Sequence, residues 1–495
     1  MKKRFSISPA KINILTSLLN HLIATGCGII LPRILIESYG SAAYGITVSI
    51  AQFLSYIALL ESGIGGVARA QLYGPLAKRD QREISVIYQA TKRFFRFVAL
   101  AFVLYTLILA LSYRTLAGIT YYPFWYIFIL VLVISSATIA KYMGGLANLT
   151  LMVADQKQYI SMLIHIGATI LNTVAVLVLC RLGTDLIWVK LGSSLVFILP
   201  PILYSFYVKR HYNLLPVKAD SKVLTQRWTG LGQHFAFFLH KNTDIVLLTL
   251  LADIRLVAVY SVFSLVSNSI RAITESCSGG MEAVLGERIA RKDNSGLLAV
   301  FRKYQLLLSA VTILLFGCAG ILINDFVRLY TNGIQDANYR QPVFALLILF
   351  AEAFNCLCLP YAALPFSANH LKQTRWGAYG EAAINIVLSV GLIFWNPLVG
   401  VALATLLATL FRAIYYIHYA ANHFLQKSFF QLISEYFGTA LLLALIIAAG
   451  QWVINGLFIE NFLQWALSGA ACFAVLLLPV CLVLFWYKRF CTDRR

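Results

Sequence analysis

Apolar residues in this chain run for about twenty positions or more at a time, and short polar stretches separate the runs. A helix crossing a bilayer needs roughly 20 mostly apolar residues, because the hydrocarbon core is about 30 Å thick and each residue rises about 1.5 Å. Fourteen segments reach that length, near residues 12–36, 43–68, 94–113, 121–148, 159–181, 184–208, 229–252, 256–286, 299–323, 341–366, 375–395, 398–423, 431–456 and 462–487. The first carries His21 and Arg33 and ends without a small-residue cleavage site, so it is expected to remain in the chain rather than act as a signal peptide. The pattern predicts an all-α integral membrane protein with about 14 transmembrane helices.

Composition agrees and excludes the alternatives. Of 495 residues, 60% are hydrophobic and 12% charged, with a mean hydropathy of +0.77. A soluble domain carries about 25% charged residues, so neither a soluble enzyme nor a disordered chain fits. The 40 Lys+Arg exceed the 20 Asp+Glu by 20. With the N-terminus inside, 28 of the 40 fall on the inner side, in loops, tails and the inner ends of spans, and five on the outer side (Arg114, Arg181, Arg255, Arg328 and Arg340). That bias is the positive-inside rule, so nucleic acid is not needed to explain the charge, and both termini are expected in the cytoplasm. Tyr121, Tyr122, Trp125, Tyr126, Trp486 and Tyr487 lie at span ends, as interface anchors do.

Known chemistry is sparse. The nine cysteines are scattered, and Cys356 and Cys358 form a C-x-C with no second Cys or His pair, so no metal site is expected. Phosphate-loop, H-E-x-x-H and G-x-S-x-G motifs do not occur, so no catalytic residues and no cofactor are assigned.

A self-match organises the chain. Glu61-Ser62-Gly63-Ile64-Gly65-Gly66 matches Glu275-Ser276-Cys277-Ser278-Gly279-Gly280 as E-S-x-x-G-G, 214 residues on. Leu76 to Asp80 faces Ile289 to Asp293, Ala154 to Lys157 faces Ala368 to Leu371, and Asn172 faces Asn385, all at 213 or 214. Generic apolar similarity does not explain matching polar residues in one register. Six spans per repeat is an even number, which predicts two parallel six-helix repeats plus two extra C-terminal helices, a plan that transporters use. The expected organisation is an N-terminal lobe at 1–208, a cytoplasmic linker at 209–228, a C-terminal lobe at 229–424, and two added helices with a tail at 425–495.

The first loop with Tyr44-Gly45, followed by Leu59-Leu60-Glu61-Ser62-Gly63-Ile64-Gly65-Gly66, resembles the start of the polysaccharide-transporter flippases. These belong to the multidrug/oligosaccharidyl-lipid/polysaccharide exporter superfamily. Members often carry Asp-Phe-Gly-Leu-Gly where this chain has Glu61 to Gly65, so the acid is kept but lengthened. The resemblance implies two helical bundles in a bacterial cytoplasmic membrane. They would move a lipid-linked oligosaccharide, carried on undecaprenyl pyrophosphate, for O-antigen or other surface polysaccharide assembly. Other membrane proteins of that assembly are implied partners. A multidrug or cation antiporter of the same superfamily, and a membrane polysaccharide polymerase, are the competing readings.

Ionisable residues at mid-span cost roughly 2.5–3.5 kcal/mol each on insertion scales, so they usually face a cavity or a partner. Arg33, Lys141, Lys241 and Arg271 are the candidate contacts for an anionic headgroup, since cations match phosphate oxygens. For Arg271, an ion pair with Glu275 at i,i+4 is the local alternative; for Lys241, a pair with Asp244 at i,i+3. Arg33 has Glu37 nearby and could also snorkel. Arg69, Lys190 and Arg412 stand close to span ends, where snorkelling is expected. Glu61, Asp244, Glu275 and Glu352 are the candidate coupling or gating acids, for coupling to H+ or Na+.

Overall fold

The computed structural model describes residues 9–61, 64–217, 231–278, 280–454, 456 and 459–491. Among these, every regular element is a helix, and the protein is an all-α integral membrane protein. Two compact units, Met1–His234 and Phe235–Arg495, divide the chain.

Unit 1 begins with α1 (Pro9–Ser55), α2 (Ala58–Glu61), α3 (Ile64–Lys78) and α4 (Gln81–Leu116). It continues with α5 (Phe124–Ala140), a π-helical turn Lys141–Gly145, α6 (Leu146–Ala154), α7 (Gln158–Arg181) and α8 (Leu186–His211). The helix α9 (Leu231–Leu251) leads into unit 2, with α10 (Ile254–Cys277), α11 (Met281–Ala290), α12 (Asn294–Tyr330) and α13 (Pro342–Ser367). Then follow α14 (Leu371–Leu392), α15 (Pro397–Ala420) with a π-helical turn Ala421–Leu425, α16 (Phe429–Ile454) and α17 (Phe462–Cys491).

The 47-residue α1 is two passes: Gly40, at φ 83° and ψ 166°, breaks it where only glycine is unstrained. Dividing α1 there, and joining its second half with α2 and α3, α5 with α6, and α10 with α11, yields fourteen helical passes among the described residues. Among the described residues, ten helical segments satisfy length and hydropathy for crossing, with α1 and α2 entering together as one. The helix α14 falls short because Arg375, Glu381 and Asn385 interrupt it. Residues 218–228 of the expected linker lie outside the described residues, as do Ser62, Gly63 and Gly279 of the repeated motif.

Local geometry recurs at the repeat offset. Asp80 caps α4 by accepting from Glu83 N at 3.0 Å, and Asp293 caps α12 by accepting from Gly296 N at 2.9 Å. The residue before each cap, Arg79 and Lys292, adopts positive φ of 56° and 53°. Gln156 and Asn369 do the same at 58° and 56°. Such αL residues end one helix and let the chain turn into the next.

Packing follows bilayer rules rather than those of a soluble core. Leu100, Leu104, Ile108 and Leu111 form an exposed stripe along α4, as a surface facing lipid requires. Helices approach closely at small residues: a Cβ on Gly377 would meet the Tyr415 ring at 2.5 Å, and one on Gly380 would meet Phe411 at 2.5 Å. Those contacts lay α14 against α15. In unit 2, Phe301, Tyr304, Tyr361, Ile417 and Tyr436 form one buried cluster linking α12, α13, α15 and α16.

Candidate functional site

Unit 2 buries a connected set of polar side chains on five helices. Their spacings are helical: His240 and Asp244 on α9, Arg271 and Glu275 on α10, Glu352 and Asn355 on α13, Glu381 and Asn385 on α14, and Thr405 and Arg412 on α15. Steps of three, four and seven residues put each pair on one helix face. Packing of α13, α14 and α15 then turns those faces toward one another.

Arg412 Nη1 donates to both Glu381 carboxylate oxygens at 3.1 and 3.3 Å, and its Nη2 donates to Asn355 Oδ1. Glu381 Oε1 also lies 3.2 Å from His240 Nε2. Asn355 Nδ2 donates to Glu352 Oε2 at 3.3 Å, and Arg271 Nη1 donates to both Glu352 oxygens at 3.1 and 3.2 Å. Arg271 Nε sits 3.5 Å from Glu275, whose carboxylate is half exposed. Toward the other end of α9, Asp244 Oδ2 accepts from the Tyr260 hydroxyl at 2.8 Å and lies 3.0 Å from Thr405 Oγ1. Asn385 Nδ2 donates to that same Thr405 oxygen at 3.0 Å.

Three buried acceptor atoms in this network lack a hydrogen-bond partner: Asp244 Oδ1, Asn385 Oδ1 and His240 Nδ1. Asp244 and Asn385 are only 4% and 0% exposed, so both sit away from bulk solvent. A buried carboxylate oxygen without a donor is costly, and it marks a place where a proton or other positive charge would be stabilised. The two arginines turn Nη groups onto carboxylates and, from Arg412, onto Asn355, while the buried Nε of each lacks a hydrogen-bond partner.

Unit 1 is built differently. Glu61, at the end of α2, accepts from the Tyr142 hydroxyl at 2.5 Å. Tyr142 belongs to the π-helical turn Lys141–Gly145, a form in which one extra residue per turn redirects side chains. Gly145 lets that turn lie on Pro201 of α8, since a Cβ there would come within 3.1 Å of the proline ring. Beyond the turn, Tyr88 donates to Asn148 Oδ1 at 2.8 Å, and Asn148 Nδ2 donates to Ser205 at 2.9 Å. Lys141 itself is exposed, its Nζ 5.7 Å from the Tyr142 ring centroid.

The sequence-derived candidates therefore divide. Arg271, Glu275, Glu352 and Asp244 come together in unit 2, joined by His240, Asn355, Glu381 and Arg412. In unit 1, Glu61 and Lys141 share the Tyr142 neighbourhood, while Arg33 pairs with Glu37, Nε to Oε2 at 3.4 Å. The side chain of Lys241 lies outside the described residues. Arg412 is a correction: snorkelling toward a span end was expected, yet it is 7% exposed and bound to Glu381, because α14 carries that carboxylate into reach. Sequence reasoning passed over His240, Asn355, Tyr260 and Thr405. His240 and Asp244 at i,i+4, and Glu352 and Asn355 at i,i+3, were the available signal.

No protein-family model and no curated protein matches the chain. Solved structures do. The lipid II flippase MurJ, in an inward closed conformation, is similar over 96% of this chain and 99% of its own, with a TM-score of 0.71 at 13% identity. The MATE multidrug transporter DinF-BH is similar over 86% of this chain and 100% of its own, with a TM-score of 0.59 at 14% identity. An inward-facing multidrug resistance MATE family transporter of the MOP superfamily is similar over 81% of this chain and 94% of its own, with a TM-score of 0.54 at 12% identity.

Proposed function

We propose that this chain, which has the fold of those flippases and multidrug transporters, translocates a lipid-linked oligosaccharide across a bacterial cytoplasmic membrane. The cargo in this reading is an undecaprenyl-pyrophosphate oligosaccharide, moved by alternating access for surface polysaccharide assembly. One observation carries the choice of a lipid over a drug: likeness to the lipid II flippase extends through 96% of the chain, against 81 and 86% for the two MATE transporters.

Unit 2 supports the reading. The added helices α16 and α17 enclose, with α12, a groove of about 810 Å³ lined by Leu306, Ile313, Leu442, Ile446 and Leu476. Arg302, Gln305 and Glu435 stand in the same groove as its polar groups. An apolar trough with a polar mouth suits an isoprenoid chain bearing a charged head. Lys141 is the headgroup contact in this reading: it is exposed in an irregular turn, whereas Arg33 and Arg271 each hold a carboxylate. The 28-to-five distribution of basic residues supports cytoplasmic termini.

The test is translocation of a fluorescent pyrophosphate-linked oligosaccharide lipid in proteoliposomes. Wild type is expected to move it, Lys141→Ala to slow it by about tenfold, the loss of one charge-assisted contact, and Lys141→Arg to restore it. A wild type that leaves this lipid in place while expelling cationic dyes overturns the proposal in favour of the antiporter. That second reading draws on the four carboxylates of the unit 2 network (Asp244, Glu275, Glu352 and Glu381) against its two arginines, since an acidic interior suits a cation.

A further inference from the structure

We infer that the outer end of unit 2 carries a saccharide-binding pocket, built by the α12–α13 hairpin, which receives the sugars of the lipid-linked cargo; this assignment rests on the transport reading above.

The pocket begins with a helix longer than the membrane is thick. The 37 residues of α12 rise about 55 Å, against about 30 Å of hydrocarbon. Its last two turns carry Asn324, Asp325 and Arg328 at steps of three and four, which set them on one face. Residues 331–341 then lead to Pro342, the first residue of α13. Tyr339 pins this loop, 5% exposed, and Gly333 turns it at φ 86°. Arg328 Nη2 donates to Asp325 Oδ1 at 2.9 Å and to the Ile459 carbonyl at 2.6 Å, tying the hairpin to the connection between α16 and α17. The Arg340 amide donates to Asn338 Oδ1 at 3.0 Å, and Gln341 Nε2 donates to the Asn338 carbonyl at 3.2 Å. Between the helix face and the loop lies a cavity of about 600 Å³, the size of a small-ligand site.

The lining selects the ligand. Four primary amides, those of Asn324, Asn332, Asn338 and Gln341, offer donors and acceptors side by side, which suits neighbouring sugar hydroxyls. Asn324 and the Nδ2 of Asn338 have no hydrogen-bond partner among the described residues, so a ligand meets them uncommitted. Val327, Ile334 and Pro342 supply apolar surface for the C–H face of a ring. Phosphate is disfavoured, because Asp325 stands in the pocket and its carboxylate already offsets Arg328. The exposed Arg340 is the group to meet a carboxylate on an acidic sugar. Position points to the same occupant. Arg328 and Arg340 are two of the five basic residues assigned to the outer side. The stretch of α12 from Arg302 to Ile313 borders the apolar groove, and Asn324 lies about 17 Å beyond Ile313 along the same axis. One helix thus borders a trough for an isoprenoid chain and, farther out, a polar pocket for sugars, the two ends of one cargo.

The test uses the purified full chain and two fluorescent trisaccharides, neutral chitotriose and acidic trigalacturonate, with binding read by anisotropy. Wild type is expected to bind at least one of them with a Kd below about 1 mM. Ala337→Trp fills the cavity without removing a polar side chain and should abolish binding. Asn324→Leu should weaken it about tenfold, the loss of one set of hydrogen bonds, and neither variant should shift the thermal midpoint. Arg340→Gln should remove any preference for the acidic probe. In proteoliposomes, Ala337→Trp should slow the pyrophosphate-linked oligosaccharide lipid and leave the same lipid pyrophosphate without sugars unaffected. A wild type that binds neither trisaccharide, or a folded Ala337→Trp that binds as wild type does, overturns the inference and leaves the transport reading standing. If wild type moves no lipid probe, the transport reading fails, while trisaccharide binding lost in Ala337→Trp still establishes the pocket.

Discussion

Removing Arg412 should be among the most damaging single changes available in unit 2. The guanidinium is 7% exposed and its partner Glu381 is 2% exposed, with two donor contacts at 3.1 and 3.3 Å and a third to Asn355. Arg412→Met leaves the Glu381 carboxylate in an apolar bundle with only His240 beside it. Stranding a buried charge in this way costs about 3–5 kcal/mol, whereas an exposed pair is worth about 0–1 kcal/mol. Replacing both partners, Arg412→Met with Glu381→Leu, removes the desolvation penalty along with the attraction. The double variant should therefore recover most of the loss, a coupling of about 2 kcal/mol or more. Reversible unfolding in mixed detergent micelles, run as a double-mutant cycle on the full chain, measures this. A single-variant loss near 1 kcal/mol, or a double variant equal to the sum of its parts, would refute the reasoning and return Arg412 to the snorkelling expected from its position.

Other outcomes follow from local geometry. Gly400→Ala should destabilise the turn between α14 and α15 by about 1–3 kcal/mol in the same assay, because the new Cβ runs into the Leu392 carbonyl, which is backbone and cannot rotate away. Gly438 opens onto the groove, and a Cβ added there would meet nothing within 4 Å, so Gly438→Leu should leave stability unchanged while slowing carriers with long isoprenoid tails more than short-tailed ones. Asp293 caps α12 at the surface, and the Gly296 amide, Arg288 and Ser295 hold its carboxyl below the usual carboxylate range. A depressed value means the cap is at full strength above about pH 4 and weakens as pH falls below that, so Asp293→Asn should flatten the acid limb of a thermal-midpoint profile below pH 4.

Much of the architecture was legible because a bilayer imposes a length. The fourteen predicted runs correspond to the fourteen helical passes, and errors gather where a helix breaks without losing hydropathy. The run at 43–68 extends through α3 to Lys78, and the run at 256–286 is divided at Gly280, whose φ of 86° ends the regular helix. Neither break changes the apolar count, so periodicity could not locate them.

The ion pairs mark the limit of what the chain discloses. Spacing along one helix offered Glu275 as the local alternative partner of Arg271 and placed Glu37 near Arg33, and both contacts are present. The stronger partner of Arg271 is Glu352, 81 residues away on α13, and Arg412 finds Glu381 across 31 residues. Those choices depend on which faces of α10, α13, α14 and α15 meet, and helix rotation within a bundle is set by small packing residues such as Gly377 and Gly380 rather than by hydropathy. The amino-acid sequence by itself determined the membrane, the number of passes and the presence of costly charges inside it, because burial in lipid penalises each residue by its own chemistry. Tertiary structure alone decided which of those charges are neutralised and which, as at Asp244, are left short of a donor, because that depends on neighbours brought together only when the helices pack.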